Sequence, residues 1–470
     1  MKKPRKMSDI LSLVPERFSF ISMRKERLGG FLFNPFLLNE VPLNELETKV
    51  LELCDGHHTT GDIIQATARE FSYSRNDAGT AVVNALNHFG QFFALNWRAG
   101  KKADKANLRK QVAIETERKP DDKLSFDYYS APLSAIFEIT NKCNLKCKHC
   151  LVDAGTALED ELSLEEIKGI IDQLKEMKVF TLNFGGGEPL LRTDFLEILD
   201  YASKLNMGIV ISTNGYLVDD RLLDNLENIK TFAVQISVDG LEKCHDEFRG
   251  IKGSFKRAVE ALKRFSERGY FTIMSTMMIK KNMDDIGSLI DLALSLGVSS
   301  FKLSTFMPSG RGKENVKNLL ITGSELERLA GFVLNQKNKY SDRLHVDIQG
   351  TFPWLLENKP KKHPPEFKER HERIGCSAGQ TNITISPIGE VFPCPFLRKS
   401  AAGSLRHSSF KAIWYDSEAF YMFRNIERGQ IKGKCRNCEY APHYCQAGCR
   451  AAAYLYSGDF YAEDPNCWYN

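Results

Sequence analysis

The middle of the chain alternates between two patterns of hydrophobic and polar positions. Amphipathic stretches with apolar residues three and four positions apart predict helices, and short apolar runs between them predict strands. Ser163, followed by Glu166, predicts a capping box at the start of the first helix. Strands that alternate with helices form parallel βαβ units, so we expect a closed or half-closed barrel whose chemistry lies at the C-terminal ends of its strands. The six predicted strands are residues 133–140, 179–184, 207–213, 231–238, 271–279 and 299–306, and the four helices are 163–177, 192–205, 254–269 and 284–297.

The first hundred residues have a different organisation. Residues 30–38 form a strand-like apolar stretch, and three stretches with helical periodicity follow it. Asp55 and Gly56 are expected to end the first of these helices, and Thr59 or Thr60 to cap the second. This part of the chain therefore predicts a small α+β unit.

The pattern changes again from about residue 345, where helical periodicity weakens, Pro and Gly become frequent and cysteines appear. A region with so little continuous apolar core needs another source of stability, and bound metal supplies it. The predicted fold class is therefore α/β, a partial (β/α)6 TIM-like barrel between a small N-terminal α+β domain and a C-terminal cysteine-rich domain. The predicted segments are an N-terminal domain (1–100), a charged linker (101–130), the barrel (131–345), a bridging segment (346–375) and the cysteine-rich domain (376–470).

Charge and hydropathy exclude several kinds of partner. The 470 residues contain 64 Lys and Arg against 60 Asp and Glu, a formal net charge of +4 that gives no strong attraction to nucleic acid or to anionic membranes. No stretch of about 18 apolar residues is present, and Pro15 and Glu16 interrupt the short apolar segment near the start. We therefore expect a cytoplasmic protein without nucleic-acid or membrane partners.

Twelve cysteines in a cytoplasmic chain are unlikely to form disulfides, because reducing compartments keep thiols reduced. Cys54 and Cys244 stand alone and are expected to be buried, inert thiols. The others are closely spaced, which in a reducing compartment indicates zinc or iron–sulfur sites. One group contains Cys143, Cys147 and Cys150, and the other contains Cys376, Cys394, Cys435, Cys438, Cys445, Cys449 and Cys467.

The sequence CNLKCKHC, directly after the first barrel strand, favours iron over zinc. Thiolates of Cys143, Cys147 and Cys150 can bind three irons of a cubane cluster and leave the fourth iron without a protein ligand. Zinc requires a fourth ligand to complete a tetrahedron, and His149 lies too close to Cys150 to ligate the same ion comfortably.

This loop, with His149 as the aromatic residue before its last cysteine, resembles the radical S-adenosylmethionine (SAM) superfamily over residues 131–310. The resemblance implies that SAM chelates the open iron of a 4Fe–4S cluster. It also implies that an electron from the cluster cleaves SAM to a 5′-deoxyadenosyl radical, which abstracts hydrogen from the substrate. Cys143, Cys147 and Cys150 would then be the catalytic cysteines.

Further residues at successive strand ends agree with this resemblance. The turn GGGEP (185–189) follows the second strand, and glycines there let the backbone approach the SAM amino group. By resemblance, ISTNG (211–215) and SVDG (237–240) contact the ribose, Arg249 pairs with the SAM carboxylate and MPSGRG (307–312) lines the adenine. Taken singly, each of these last four also reads as an ordinary loop cap. The predicted SAM-binding residues are His149, Gly186, Gly187, Glu188, Ser212, Asn214, Ser237, Asp239, Arg249 and Met307.

The C-terminal cysteines resemble the SPASM extension, which holds auxiliary 4Fe–4S clusters in maturases of peptides and proteins. Six residues separate Cys438 from Cys445, where the family usually has five. The resemblance implies two auxiliary clusters, and it leaves the inner one with three thiolates. Its open iron would take water, His371 or a substrate thiolate. The implied ligands are Cys435, Cys438, Cys445 and Cys467 for the outer cluster and Cys376, Cys394 and Cys449 for the inner one.

The N-terminal unit resembles the winged-helix-like, PqqD-like domain that binds leader peptides in maturases of ribosomal peptides. The resemblance covers residues 14–98 and rests on LELCDGHHTTGDI. A DNA-binding winged helix is the competing interpretation, but 12 Lys and Arg against 11 Asp and Glu in residues 1–100 are too nearly neutral for phosphate recognition.

Together the three resemblances imply a radical SAM/SPASM maturase of a precursor peptide, which it would recognise through the leader segment. An intrapeptide thioether or carbon–carbon cross-link is the favoured product, and a flavodoxin or ferredoxin is the expected electron donor. The alternatives are a protein maturase of the sulfatase-maturing type, a peptide epimerase, and a non-catalytic iron–sulfur or peptide-docking protein.

Overall fold

A computed structural model of the chain contains two compact units, residues 1–130 and 131–470. The structure describes residues 11–18, 21–26, 29–34, 39–92, 94–99, 129–321, 323–349, 355–356, 376–399, 401–441 and 445–469. The predicted linker over 101–130 and the bridging segment over 346–375 therefore lie mostly outside the described residues.

The first unit combines two small antiparallel sheets with three helices, which agrees with the predicted α+β class. One sheet has the strand order β2-β3-β4, and the other pairs β1 with β5. The sequence pattern predicted fewer strands, because β1, β2 and β4 carry too few buried positions to stand out. The elements are β1 (Leu13–Arg17), β2 (Ser22–Glu26), β3 (Gly29–Asn34), β4 (Asn39–Leu43), α1 (Glu45–Leu53), α2 (Thr60–Glu70), α3 (Arg75–Gln91) and β5 (Leu95–Ala99).

Side-chain caps fix where these helices begin. Asn44 and Glu47 form a capping box on α1, and Thr59 and Asp62 form one on α2, as expected for Thr59. The apolar faces of the helices form one core that includes Leu32 of the fully buried strand β3.

The second unit is built on one ten-stranded sheet with the order β12-β11-β10-β9-β8-β7-β6-β13-β14-β15. Every neighbouring pair from β12 to β13 is parallel, and β14 and β15 are antiparallel. The six predicted barrel strands are confirmed as β6–β11. The strands are β6 (Ser134–Thr140), β7 (Thr181–Gly186), β8 (Gly208–Thr213), β9 (Thr231–Ser237), β10 (Phe271–Met278), β11 (Ser300–Thr305), β12 (His345–Gln349), β13 (Asn382–Ile385), β14 (Glu390–Phe392) and β15 (Gly403–Ser404).

Helices cover the outer face of this sheet, and the four predicted ones correspond to α4, α5, α8 and α9. Ser163 and Glu166 form the predicted capping box on α4. The sequence analysis did not predict α6, α7 or α11. The helices are α4 (Leu164–Glu176), α5 (Phe195–Lys204), α6 (Asp220–Leu226), α7 (Glu242–Arg249), α8 (Ser254–Glu267), α9 (Ile286–Ser295), α10 (Val316–Leu319), α11 (Gly323–Lys339), α12 (Phe410–Asp416), α13 (Glu418–Arg424) and α14 (Arg450–Ser457).

Alternate residues of each strand face opposite sides of the sheet. One set, exemplified by Phe184, Ile236 and Leu303, is buried against the helices in the main hydrophobic core. The other set faces the lumen of the barrel and includes polar side chains such as Asn183 and Gln235. Among the described residues, no helix is both long and apolar enough to cross a membrane.

Candidate functional site

The loop with Cys143, Cys147 and Cys150 follows β6 at the C-terminal edge of the barrel. Backbone hydrogen bonds hold it in place: Cys143 N donates to Gly155 O at 2.9 Å, and Lys146 N donates to Arg249 O at 3.1 Å. Cys147 is buried and the other two cysteines are half-buried. Burial raises the pKa of Cys143 to about 11 and also raises that of Cys147. A bound cation is what stabilises thiolates in such surroundings.

Two glycines allow the cysteine loop to lie this close to its neighbours. A Cβ on Gly187 would lie 2.3 Å from Lys142 O, and a Cβ on Gly310 would lie 2.2 Å from Cys150 O. Gly187 N donates to Thr140 O at 2.8 Å, so the GGGEP turn is fastened to the end of β6. No larger residue fits at either glycine without moving backbone.

Glu188 is fully buried and is engaged by the neighbouring strand end. Its carboxylate accepts hydrogen bonds from Thr213 Oγ1 at 2.7 Å, Asn214 N at 2.8 Å and Leu190 N at 3.2 Å. Burial raises its pKa to about 7, although these hydrogen bonds oppose the shift. These three hydrogen bonds join the GGGEP turn to the residue that follows it and to the end of β8. Glu188 therefore has a structural role in addition to its predicted contact with SAM.

Asp239 and Arg249 form a buried pair next to the cysteine loop. Arg249 Nε donates to Asp239 Oδ2 at 2.6 Å, and Arg249 Nη1 lies 3.6 Å from Cys147 Sγ. Burial alone would raise the pKa of Asp239, but Arg249 outweighs it and the pKa is lowered. Met277 N donates to the other carboxylate oxygen at 2.7 Å. Asp239 thus holds the guanidinium against the cysteine loop.

The remaining predicted SAM-binding residues lie in the cysteine loop or near the C-terminal ends of the barrel strands. His149 stacks on Phe248 with ring centroids 4.4 Å apart, and burial lowers its pKa to about 3, so the ring is neutral. Ser212 Oγ donates to Asn183 Oδ1 at 2.7 Å. Ser237 ends β9 half-buried, Gly186 ends β7, and Met307 is buried after β11.

Arg311 is a functional candidate that the sequence analysis missed as an individual residue. Its Nε donates to Cys147 O at 3.0 Å, and its Nη1 donates to Ala154 O at 2.9 Å. It therefore ties the middle of the cysteine loop, and the backbone just after Cys150, to the segment after β11. The sequence could have indicated this residue, because Arg311 lies within the MPSGRG segment that was predicted to line the adenine.

Two neighbouring sets of C-terminal cysteines can be distinguished in the structure, and their roles as ligands of an inner and an outer cluster stay a prediction. Cys376, Cys394 and Cys449 pack in one apolar group together with Met307. Burial, with smaller contributions from the neighbouring Cys376 and Cys449, raises the pKa of Cys394 to about 12. In the other set, burial raises the pKa of Cys445 to about 12, and this value includes smaller contributions from Cys467, Cys435 and Cys438.

The side chains in these three groups suit iron–sulfur clusters better than a hard metal ion, because the clustered donors are thiols. In the described parts of the chain, no three His, Cys, Asp or Glu side chains converge closely enough for a single metal ion. The thiol groups would hold the clusters, with Arg249 and the GGGEP turn beside the open iron.

His371 lies outside the described residues. Cys54 is buried as expected, whereas Cys244 is only half-buried, which corrects the expectation for that residue.

Comparison with known proteins is consistent with this geometry. Residues 137–293 match the radical SAM superfamily, and residues 376–439 match the SPASM iron–sulfur cluster-binding domain. An AdoMet-dependent heme synthase from Methanosarcina barkeri is 30% identical over 347 residues, which cover 72% of this chain and 97% of that protein. The mycofactocin maturase MftC from Mycolicibacterium smegmatis is 32% identical over 345 residues, 72% of this chain and 83% of that protein.

The structural comparison extends over more of the chain. The crystal structure of Streptococcus suis SuiB bound to precursor peptide SuiA matches with a TM-score of 0.69 at 19% identity, covering 97% of this chain and 100% of that one. This likeness establishes a shared fold that includes the N-terminal unit. The cofactors are SAM and 4Fe–4S clusters, one of the radical SAM type and the others in the SPASM region. The chain belongs to the radical SAM superfamily and carries a SPASM iron–sulfur domain.

Proposed function

We propose that this enzyme is a maturase of a ribosomally synthesised precursor peptide and that its product is an intrapeptide thioether or carbon–carbon cross-link. The N-terminal unit is the observation that carries the proposal. Its three-stranded antiparallel sheet leaves β2 and β4 as edges, and an extended peptide adds to such an edge by main-chain hydrogen bonding. The match to a precursor-peptide-bound relative over 97% of the chain supports the same reading.

The remaining segments have complementary roles in this proposal. Residues 131–345 form the radical SAM core, residues 376–470 hold the auxiliary clusters, and the leader segment of the precursor docks on residues 1–100. Cys143, Cys147 and Cys150 would hold the cluster that, together with SAM, would supply radical hydrogen abstraction from the peptide. A low-potential donor of the flavodoxin or ferredoxin type supplies the electron.

The chain's own residues bind and orient these groups. Arg249, held by Asp239, directs a guanidinium toward the cysteine loop, where it would pair with the SAM carboxylate. Backbone groups of Gly186 and Gly187 would meet the SAM amino group. Ser212, Asn214, Ser237 and Met307 would contact the nucleoside. The three-thiol set of Cys376, Cys394 and Cys449 leaves a place where a substrate thiolate would bind, which favours a thioether product.

The test uses anaerobically reconstituted enzyme, SAM, a reductant and the short peptide encoded beside the gene. We expect 5′-deoxyadenosine to form and the peptide to lose the mass of two hydrogens, with fragmentation locating the cross-link. Unchanged peptide mass with deuterium uptake from the solvent indicates an epimerase instead. Conversion of a residue in a folded sulfatase indicates the protein-maturase alternative. Absence of 5′-deoxyadenosine indicates a docking protein and contradicts the proposal.

A truncation tests the leader-binding part separately. Removing residues 1–100 should weaken binding of the full-length precursor at least tenfold, because the sheet edge is lost. Binding of the core peptide without its leader is the matched control and should not change. Equal affinity of the truncated and intact enzymes for the full-length precursor contradicts leader recognition by this unit.

A second candidate function is a reaction on a tetrapyrrole, and it rests on the similarity to heme synthases. The aligned 347 residues leave more than a quarter of this chain unmatched. The maturase proposal accounts for the whole chain, including a separate peptide-binding unit, and it is the one that we favour.

A further inference from the structure

Lys302 places a positive charge inside the barrel. It lies in β11 between Phe301 and Leu303, both of which are fully buried in the main core under the helices. Because side chains alternate along a strand, Lys302 faces the lumen on the opposite side. It is half-buried there, which is unusual for a lysine.

The strand register places Lys302 in one row with a predicted SAM contact. Across the sheet, Ser237 of β9 pairs with Ser275 of β10, Ser275 with Lys302, and Lys302 with Asp347 of β12. Neighbouring strands lie about 4.8 Å apart, so the Cα atoms of Ser237 and Lys302 are separated by roughly 10 Å. The side chains of Ser237 and Lys302 both project from the lumen face of the sheet. The ammonium group of Lys302 therefore lies in the same lumen as Ser237, two strands away from it.

No carboxylate among the residues that the structure describes forms an ion pair with the ammonium group of Lys302. Within the described residues, no hydrogen bond and no ion pair engages Lys302 Nζ. Burial lowers the pKa of Lys302, and Asp347 opposes this from a distance without forming a salt bridge. Glu138, another acidic residue facing the lumen, is already bound by Arg398 through both of its carboxylate oxygens. A half-buried cation with no partner among the described residues costs free energy, because its charge is partly desolvated. Binding of a ligand that supplies an anionic partner is therefore strongly favoured.

We propose that Lys302 binds a carboxylate of the substrate inside the barrel. This inference rests on the proposed function, under which the carboxylate is an Asp or Glu side chain or the C-terminus of the core peptide. In the peptide sequence, this carboxylate lies within a few residues of the position that loses hydrogen. Lys302 is a specificity-determining residue, and it selects acidic core peptides over neutral or basic ones.

The experiment compares wild-type holoenzyme with K302Q and K302R, using the peptide encoded beside the gene. Loss of a charge-assisted hydrogen bond should raise KM roughly 10- to 100-fold in K302Q, with a smaller rise in K302R, which keeps the charge. K263Q makes the same change at an exposed position on α8 and should leave KM unchanged. Iron content and melting temperature establish that each variant is folded and loaded.

Amidation of the peptide identifies the bound group. When each acidic side chain and the C-terminal carboxylate are converted in turn to amides, one change should raise KM as K302Q does. That change should have no further effect in K302Q. Equal KM values for K302Q and wild type would overturn the proposal. The proposal would also be overturned if, for every amidated peptide, the increase in KM caused by amidation were as large in K302Q as in the wild type. A lower melting temperature with unchanged KM shows that Lys302 only balances Asp347, and it also overturns the proposal.

Heme binding separates failure of this inference from failure of the proposed function. If the wild type modifies no peptide but binds heme, whose propionates are carboxylates, then the maturase proposal is wrong. In that arm, weaker heme binding by K302Q supports a carboxylate site at Lys302, with a tetrapyrrole as its source. Equal heme affinity in K302Q and the wild type overturns the Lys302 proposal as well.

Discussion

Replacing Asp239 by Asn tests whether the buried pair with Arg249 stabilises the barrel. Asp239 is fully excluded from solvent, accepts from Arg249 Nε at 2.6 Å and contacts Arg249 Nη2 at 2.5 Å. Its other oxygen accepts from Met277 N at 2.7 Å. An amide has one oxygen, so either Arg249 or Met277 N loses its acceptor in D239N.

The larger consequence is an uncompensated charge, because Arg249 is also buried. Breaking a buried pair by removing one partner costs about 3 to 5 kcal/mol. Taking about 3 kcal/mol, the equilibrium for opening the barrel should shift roughly 150-fold.

Hydrogen exchange of the Met274 amide, in the middle of β10, measures this shift. We expect its protection to fall roughly 150-fold in D239N. E247Q makes the same change at a half-exposed carboxylate, 3.7 Å from Lys281, and should cost less than about 1 kcal/mol. The double variant D239N/R249M removes both members of the pair and should recover part of the loss. A loss of protection below about fivefold in D239N, or additive losses in the double variant, would refute the reasoning.

Three further predictions concern the cysteine loop and its supports. Replacing Cys143, Cys147 and Cys150 together with Ala should abolish SAM cleavage and lower iron from about twelve to about eight atoms per chain, while cleavage that persists contradicts the assignment. G310A should lower occupancy of the radical SAM cluster, measured by iron content and electron paramagnetic resonance, because the new Cβ would lie 2.2 Å from Cys150 O. G169A, where a Cβ meets nothing within 4 Å, is its control and should bind normal iron. Because burial raises the pKa of Glu188 from 4.5 to about 7, the folded chain keeps a proton that the unfolded chain loses. The free energy of unfolding should therefore fall by up to about 3 kcal/mol as pH rises from about 4.5 to 7. E188Q should flatten that part of the pH profile measured by urea denaturation, and an unchanged profile contradicts a titrating Glu188.

Local patterns predicted most of the barrel, because strand alternation, helical periodicity and the Ser163 cap are properties of short segments. The cysteine spacings separated two groups of thiols, and the SPASM resemblance implied how the second group divides. Pairings between distant segments could not be predicted in this way. Asp239 and Arg249 were named separately, but their contact depends on how α7 folds back toward the loop after β9. The bond between Arg398 and Glu138 joins residues 260 positions apart. Strands β12 and β13 were missed because they are short and have few buried residues, and because they are recognised as strands only by their pairing with β11 and β6.

The pairing of β13 with β6 has a consequence for synthesis of the protein. Ser134 in the first barrel strand is matched with Asn382, 248 residues later in the chain. A ribosome adds about 5 to 20 residues per second, so β6 waits roughly 12 to 50 s for its neighbour. During that interval one edge of a largely apolar sheet is open to other nascent chains. The C-terminal segment is therefore also a protective cover for the barrel, and truncations that remove β13 should yield aggregating protein before any cofactor is involved.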